Sequence, residues 1–311
     1  MKKFTFVVSL TTHDNDYQME QAAAAEEAAR RLDVQLQIVY ASNDSMVQSQ
    51  QILKFIHSEN AHPDGIIFEP VGGTALPQVA RAAAAAGIAW VVLNRDVDYI
   101  YELRQSGQAP IFCMTSDHQE IGRIQGRQFA ALLPAGGSVL YITGPSDSLT
   151  AKQRTSGMYE TKAADVLVKV MKGGWTESSA HHAVSSWLRL STSQQSRIDV
   201  VASQNDAMAL GAKKAFQELP EGPSRDRWLS LPFIGCDGLP QTGQAWVKKG
   251  LLAATIVVPP NSGQAVELLV QALHKTAEPP ERFLTVPVSF PSLDELRASP
   301  AVKNQALSAT V

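Results

Sequence analysis

The chain has 311 residues, 44% of them hydrophobic and 18% charged, and a formal net charge of -3. This composition is typical of soluble globular proteins, the length suits one large or two ordinary domains, and the absence of a basic field excludes nucleic acid and anionic lipid as electrostatic partners. Cys113 and Cys236 lie far apart in sequence, which excludes a disulfide framework and a cysteine metal motif; each follows apolar residues and is expected as a buried free thiol.

Met1-Lys2-Lys3 followed by apolar residues has the look of a secretory leader, but the run is too short and has no small-residue cleavage site. It reads as the first strand, Phe4–Ser9. No 18-residue apolar run follows anywhere, so no membrane-spanning helix is expected. After that strand the expected elements are a helix at Tyr17–Leu32, a strand at Gln35–Tyr40, a helix at Ser45–Glu59 and a strand at Gly65–Phe68. Next come a helix at Leu76–Ala86, strands at Ala89–Leu93 and Ile111–Met114, a helix at His118–Leu132 and a strand at Ser138–Ile142. The second half reads as a helix at Thr150–Asp165, a strand at Val166–Lys172, a helix at Leu190–Arg197, a strand at Val200–Ser203 and a helix at Asp206–Glu218. Strands at Phe233–Cys236, Ala253–Val257 and Thr285–Val288 enclose helices at Pro240–Lys249 and Ser262–Lys275.

Regular β-α alternation argues for parallel sheets with right-handed crossovers and helices on both faces. So many strands would overfill one open sheet, so two doubly wound domains are expected. Ala109–Asp117 is a candidate boundary, where one β-α series ends and another begins. Ala-rich helical stretches such as Ala22–Ala25 and Ala82–Ala86 suit close helix-on-sheet packing.

The turn Leu10–Gln18 lacks Gly-x-Gly-x-x-Gly, and no P-loop or Gly-x-Ser-x-Gly elbow occurs. His13 and His57 have no metal-ligand spacing, and His181-His182 reads as a surface pair. No motif specifies catalysis, a cofactor or a metal. What recurs is a polar residue just past the end of a strand: Asn15 and Tyr17, Glu69, Asn94-Arg95, Arg154, Asn205-Asp206 and Asp237-Gly238. Each alone reads as a turn or cap residue. Together, at the carboxyl ends of parallel strands where open α/β sheets bind ligands, they form a candidate polar-ligand site. Carboxylates and amide oxygens accept hydroxyl protons, guanidinium groups donate in a fixed fork, and Asn side chains do both, a chemistry suited to a polyol. Tyr17 or Trp175 would cover the apolar face of a sugar ring, although Trp175 in Lys172–Thr176 reads equally as a packed turn aromatic. At the Asn205-Asp206 junction, Asp206 is expected to cap the helix and Asn205 to read a hydroxyl.

Several segments together resemble periplasmic sugar-binding proteins of the ribose-binding type, whose fold is shared by the effector domains of lactose-repressor-type regulators. They are Phe6–Ser9, Asn15–Gln18, Pro63–Ile67, Asn94-Arg95, Thr115–Asp117, Arg154–Gly157, Gln204–Ala212, Gly235–Gly238 and Gly250–Ile256, in the family's order and over nearly the whole chain. Gln-Asn-Asp-Ala-Met-Ala-Leu-Gly-Ala and Leu-Ala-Ala-Thr-Ile are the specific ones. The resemblance implies an α/β fold of two doubly wound Rossmann-like domains with parallel sheets, joined by a three-segment hinge of the type I periplasmic binding protein kind. The implied lobes are 1–115 with 259–286, and 116–258 with 287–311. Their crossings fall near Thr115–Asp117, Val257–Pro259 and Val286–Val288. Hinge closure over a ligand between the lobes is implied as well.

Carried over by position, Asn15, Tyr17 and Gln18 fall on an Asn and two stacking aromatics of the family, and Glu69 falls on a polar contact. Asn94-Arg95 falls on an Asp-Arg pair, Arg154 on an arginine of the second lobe, and Trp175 near a second-lobe aromatic. Asn205 and Asp237 fall on hydroxyl readers. Departures concentrate in the same places. Asn94 loses a carboxylate, Glu69 gains one, Gln18 and Cys236 replace aromatics, and Val258 replaces a glutamine. The hydroxyl pattern read is therefore expected to differ from ribose: a bulkier or differently substituted sugar, a cyclitol or a sugar acid. The implied function is non-enzymatic. A monomeric receptor without cofactor, periplasmic or anchored outside the cytoplasmic membrane, delivers its ligand to an ABC permease; any secretory signal lies outside this sequence. The alternatives are a sensor domain serving a histidine kinase or chemoreceptor, and a doubly wound enzyme with Glu69 and Asp237 as its acid–base candidates. DNA binding is disfavoured because the chain opens directly into a strand.

Overall fold

The computed structural model describes residues 3–58, 62–72, 75–107 and 109–298. The chain opens with β1 (Thr5–Leu10), α1 (Asp16–Arg31), β2 (Gln35–Tyr40), α2 (Ser45–Ile56), β3 (Gly65–Phe68), α3 (Pro77–Ala85), β4 (Ala89–Leu93), α4 (Ile100–Ser106) and β5 (Ile111–Ser116). It continues through α5 (His118–Leu132), β6 (Gly137–Thr143), α6 (Leu149–Thr161), β7 (Val166–Lys172), α7 (Glu177–Leu188), α8 (Ser191–Gln195), β8 (Val200–Ser203) and α9 (Asp206–Gln217). Then come α10 (Pro223–Leu229), β9 (Phe233–Ile234), α11 (Gly243–Lys248), β10 (Thr255–Val257), α12 (Ser262–Leu273), β11 (Arg282–Thr285), β12 (Val288–Phe290) and α13 (Leu293–Arg297). These elements fall into two compact units, Met1–Ser116 with Pro260–Thr285 and Asp117–Pro259 with Val286–Val311.

In the first unit six strands pair in the order β11-β5-β4-β3-β1-β2, all parallel. Strands buried on both faces need apolar residues at every position, and β3, β4 and β5 are buried throughout. Successive side chains point to opposite faces. Phe6, Val8 and Leu10 of β1 join Val91 and Leu93 of β4 in a layer with Ala22, Ala25 and Ala29 of α1 and Val266 and Leu269 of α12. Val7, Ile66, Phe68, Trp90 and Val92 face the other way, against Ile52 and Ile56 of α2, Val79 and Ala80 of α3, and Ile100 and Leu103 of α4. The strand order reverses at β1, which lies between β2 and β3 with Val8 opposite both Ile38 and Ile67.

The second unit repeats the plan with a parallel sheet in the order β7-β6-β8-β9. Leu140, Ile142 and Val201 pack on Ala180 and Val184 of α7 and on Met208, Ala212 and Phe216 of α9. Val139, Tyr141, Val200 and Ala202 pack on Phe129 and Leu132 of α5 and Met158 of α6. The order reverses at β6, and at the β9 end, where Ile234 bridges Ala254, β10 pairs antiparallel with β12. Both sheets are thus doubly wound, with helices on each face.

Several elements differ from expectation. Helices α4, α7, α10 and α13 have no counterpart among the expected elements, α4 because seven residues carry too little periodicity and α10 because Gly222-Pro223 reads as a turn although Pro is favoured at a helix start. The strand expected at Thr285–Val288 is two strands, β11 and β12, and the passage from one unit to the other falls between them. The helix expected to reach Asp165 ends at Thr161. Helix α2, expected to reach Glu59, ends at Ile56 with His57 as its C-cap; Glu59 and residues 299–311 of the second expected lobe lie outside the described residues.

Candidate functional site

In an open α/β sheet the loops on either side of the point where strand order reverses part from each other, leaving a crevice at the carboxyl ends of the strands. In the first unit that point is the edge where β1 and β3 end. Asn15 caps α1 there, its Oδ1 accepting from the backbone N–H of Tyr17 at 2.9 Å and of Gln18 at 3.3 Å. The cap turns the first turn of α1 toward the sheet edge. Gln18 Nε2 then donates to Glu69 Oε2 at 2.9 Å, just past β3. Asn94, past β4, donates its Nδ2 to the same oxygen at 3.0 Å. Its Oδ1 accepts from Asn261 Nδ2 at 2.9 Å, and Asn261 Oδ1 accepts from Gln21 Nε2 at 2.9 Å. The Tyr17 hydroxyl stands 3.5 Å from the amide nitrogens of both Gln21 and Asn94. Arg95 Nη1 donates to the Asn94 carbonyl at 3.2 Å. All of these side chains are buried, Gln21 and Asn261 completely.

The corresponding edge of the second unit lies where β6 and β8 end. Arg154, from α6, donates Nη1 to the Gln204 carbonyl and holds its guanidinium 5.6 Å from the centre of the Trp175 ring, within cation–π range. Gln204 is fixed at both ends of its amide. Its Oε1 accepts from Gly144 N at 2.8 Å and its Nε2 lies 2.9 Å from the Tyr141 hydroxyl. Burial pushes the Tyr141 phenol far above its ordinary range, against the pull of the Gln204 hydrogen bond and of Arg154. The Cys236 thiol is likewise driven far upward by burial, with Arg154 acting in the opposite sense.

Asn94, Trp175 and Asp237 have φ values of 54°, 67° and 111°, in the left-handed region that side chains normally avoid. Such strain concentrates where surrounding contacts over-determine the backbone. At Trp175 they do: Asn205 Nδ2 donates to its carbonyl at 2.9 Å, and its ring occupies the space beside Gly144, where a Cβ would lie 2.1 Å from Trp175 Cζ2.

The sequence-predicted residues therefore separate into two sets. Asn15, Tyr17, Gln18, Glu69, Asn94 and Arg95 gather at one edge of the first unit. Arg154, Trp175 and Asn205 gather at one edge of the second, with Asp237 in the loop after β9. The cap expected at Asp206 falls on Asn205 instead. Asn205 is the cap of α9, its Oδ1 accepting from Met208 N at 2.9 Å. Asp206 is wholly buried and binds the loop after β9 and strand β10, accepting from Gly238 N at 2.8 Å and Thr255 Oγ1 at 2.7 Å. Both residues are good caps by type, and the partners that decide between them are remote in sequence.

Gln21, Asn261 and Gln204 were missed. Gln21 sits one turn after Tyr17 and is the polar residue opening an alanine run, a readable signal. Asn261 meets it across 240 positions of sequence, which no local pattern reveals. Among the described residues no group of His, Cys, Asp and Glu is placed to hold a metal ion, and no helix is long and apolar enough to cross a membrane.

Comparison with known proteins gives this geometry a context. A family described as periplasmic binding protein domain matches residues 6–277. A putative rhizopine-binding protein of Rhizobium meliloti is 30% identical over 219 residues, 68% of this chain and 67% of that protein. The D-allose-binding periplasmic protein of Escherichia coli K12 is 25% identical over 260 residues, 82% of this chain and 79% of the relative. The fold matches that of a periplasmic solute-binding protein of an ABC transporter from Actinobacillus succinogenes, solved with bound D-allose. The TM-score is 0.78 at 21% identity, covering 96% of this chain and all of that one. With most of its length matched by the family and both sheets doubly wound, the chain belongs to the periplasmic binding proteins.

Proposed function

We propose that this protein is a solute receptor that captures a sugar or sugar-like polyol and delivers it to the membrane subunits of an ABC importer. One observation carries the reading: at each strand-order reversal the sheet ends in buried polar side chains whose orientation is fixed by hydrogen bonds to backbone and to one another. Carboxamides, a carboxyl and guanidinium groups held this way recognise a fixed pattern of hydroxyls at little entropic cost. Names among the relatives, a rhizopine binder and a D-allose binder, point to the same class of ligand. A location outside the cytoplasmic membrane, free in the periplasm or anchored, belongs to this reading, and the family's description as periplasmic supports it. Glu69 and the carboxamide at Asn94, where ribose-type receptors carry the opposite pair, favour a ligand other than ribose.

Both edges contribute. Asn15, Tyr17, Gln18, Glu69, Asn94 and Arg95 read the ligand from the first unit, and Arg154, Trp175, Asn205 and Asp237 from the second. Titration calorimetry against pentoses, hexoses, cyclitols and sugar acids tests this. At least one binds, and Arg154→Ala and Asn205→Ala each weaken it by about tenfold or more, the loss expected when a buried hydrogen-bonding group is removed. No binding across the panel, or unchanged affinity in both variants, overturns the reading.

A further inference from the structure

The polar lattice of the first unit has a direction. Gln21 Oε1 accepts from the backbone N–H groups of Asn261, at 3.0 Å, and Ser262, at 2.9 Å. Backbone N–H groups only donate, so the Gln21 oxygen is fixed, and its Nε2 must donate to Asn261 Oδ1. That fixes Asn261, whose Nδ2 donates to Asn94 Oδ1 and to the Met114 carbonyl. Asn94 is fixed in turn and donates to Glu69 Oε2. An independent anchor acts on the other side: Thr11 N donates to Gln18 Oε1 at 3.1 Å, leaving Gln18 Nε2 to donate to the same Glu69 oxygen. The backbone of Glu69 is held too, its carbonyl accepting from Gln48 Nε2 at 2.8 Å while Gln48 Oε1 accepts from Val71 N.

Both amides thus present donors to Glu69, and its Oε2 acts as an acceptor twice over. It is 7% exposed. Its side-chain hydrogen bonds both fall on Oε2. Among the described residues no lysine, arginine or histidine forms an ion pair with it. A carboxyl so buried, with no ion-pair partner among the described residues, leaves Oε1 for a ligand donor. A ligand hydroxyl supplies a neutral hydrogen bond there; a ligand ammonium supplies a charge-assisted one together with the missing ion-pair partner.

We infer that Glu69 selects an amine-bearing polyol, an amino sugar or aminocyclitol whose ammonium group binds Glu69 Oε1 while its hydroxyls are read by the remaining site residues. This rests on the receptor reading above and narrows its ligand class. The test pairs each amine with its hydroxyl counterpart: D-glucosamine with D-glucose, D-galactosamine with D-galactose, and an aminodeoxy-inositol with inositol. Each is titrated calorimetrically into the wild-type protein and Glu69→Gln at neutral pH. At least one amine binds the wild type roughly tenfold or more tightly than its counterpart, the gap between charge-assisted and neutral hydrogen bonds. In Glu69→Gln that preference collapses while the hydroxyl counterpart loses less. If hydroxyl members bind and no amine is preferred, or if the preference survives in Glu69→Gln, the inference is overturned and the receptor reading stands. If no member of a broad panel binds, both fall. The wild-type comparison decides even where Glu69→Gln folds poorly.

Discussion

Asp206 shows how one buried side chain fixes the backbone of the second-unit site. Its two carboxyl oxygens hold Gly238 N and Thr255 Oγ1, and Gly235 and Gly243 leave room for it, since a Cβ at either would lie 2.1 Å from one of its oxygens. Asp237, in its left-handed conformation, is the neighbour of the residue thus held. Removing the carboxyl strands two buried donors, each costing about 1–3 kcal/mol. Asp206→Ala is therefore expected to destabilise the second unit by about 3 kcal/mol, measured by denaturant unfolding; a loss below about 1 kcal/mol would show that the clamp is not structural. The thiols give a second test. Both cysteines are buried and free. Burial pushes Cys113 up to about 11 and Cys236 further, in each case as the largest cause. A raised thiol pKa means that the neutral thiols contribute fully below the unfolded value of 9.0 and that stability falls as pH rises through about 11. At pH 8 a disulfide reagent such as DTNB is expected to react with neither thiol in the native protein and with both after unfolding; fast native reaction would contradict their burial. Much of the candidate site was readable at this scale, because polar residues just past apolar strands are conspicuous. Which side chains satisfy one another was not, because pairs such as Gln21 of α1 with Asn261 at the start of α12 join helices far apart in sequence.

At the scale of elements, the crossing of α5 and α6 brings backbone against backbone beside Arg154. A Cβ at Gly122 would lie 2.0 Å from the Arg154 carbonyl, and one at Gly157 would lie 2.0 Å from the Gln119 carbonyl. Backbone meets backbone here, so no flexible side chain can yield. Gly157→Ala is expected to cost about 2 kcal/mol through overpacking and to weaken ligand binding by displacing Arg154 one turn away. Thermal unfolding with calorimetric titration checks both, and unchanged stability would show that the helices separate freely. Gly157 was visible in the sequence as part of Arg154-Thr-Ser-Gly157, but its reason was not, since close helix approach depends on the partner helix. The same limit explains the fold as a whole. Long elements such as α1, α5 and β6 announce themselves through apolar periodicity and capping residues such as Asn15 and Asp117. Short α13 carried a readable capping box, Ser292 with Glu295, while seven-residue α4 and α10 had too few turns for periodicity to register.

At the scale of the whole molecule, the first unit is assembled from two stretches of chain, and the second of these is indispensable. Residues 260–285 supply α12 and β11. Val266, Leu269 and Val270 of α12 enter the core against α1. At about 1.5–3 kcal/mol for each buried aliphatic side chain, their loss alone removes about 6 kcal/mol, comparable to the total stability of a domain. Asn261 and Ser262 are lost with them, and Gln21 is then left buried without the backbone donors that orient it. A fragment of residues 1–116 is therefore expected to lack cooperative unfolding and dispersed amide resonances. The stretches leave the unit at neighbouring points: Asn261 Nδ2 lies 3.1 Å from the Met114 carbonyl, and the hydroxyls of Ser116 and Thr285 are 2.9 Å apart. A flexible Gly/Ser linker of about eight residues, reaching roughly 15 Å, can thus replace the entire second unit. Residues 1–116 joined by such a linker to 260–285 are expected to fold cooperatively, with Gln21, Asn94 and Glu69 regaining their hydrogen bonds. If the unlinked fragment melts as sharply as the linked one, then α12 is an accessory helix. If neither folds, the first unit depends on the second for its stability, and the two units do not have independent cores.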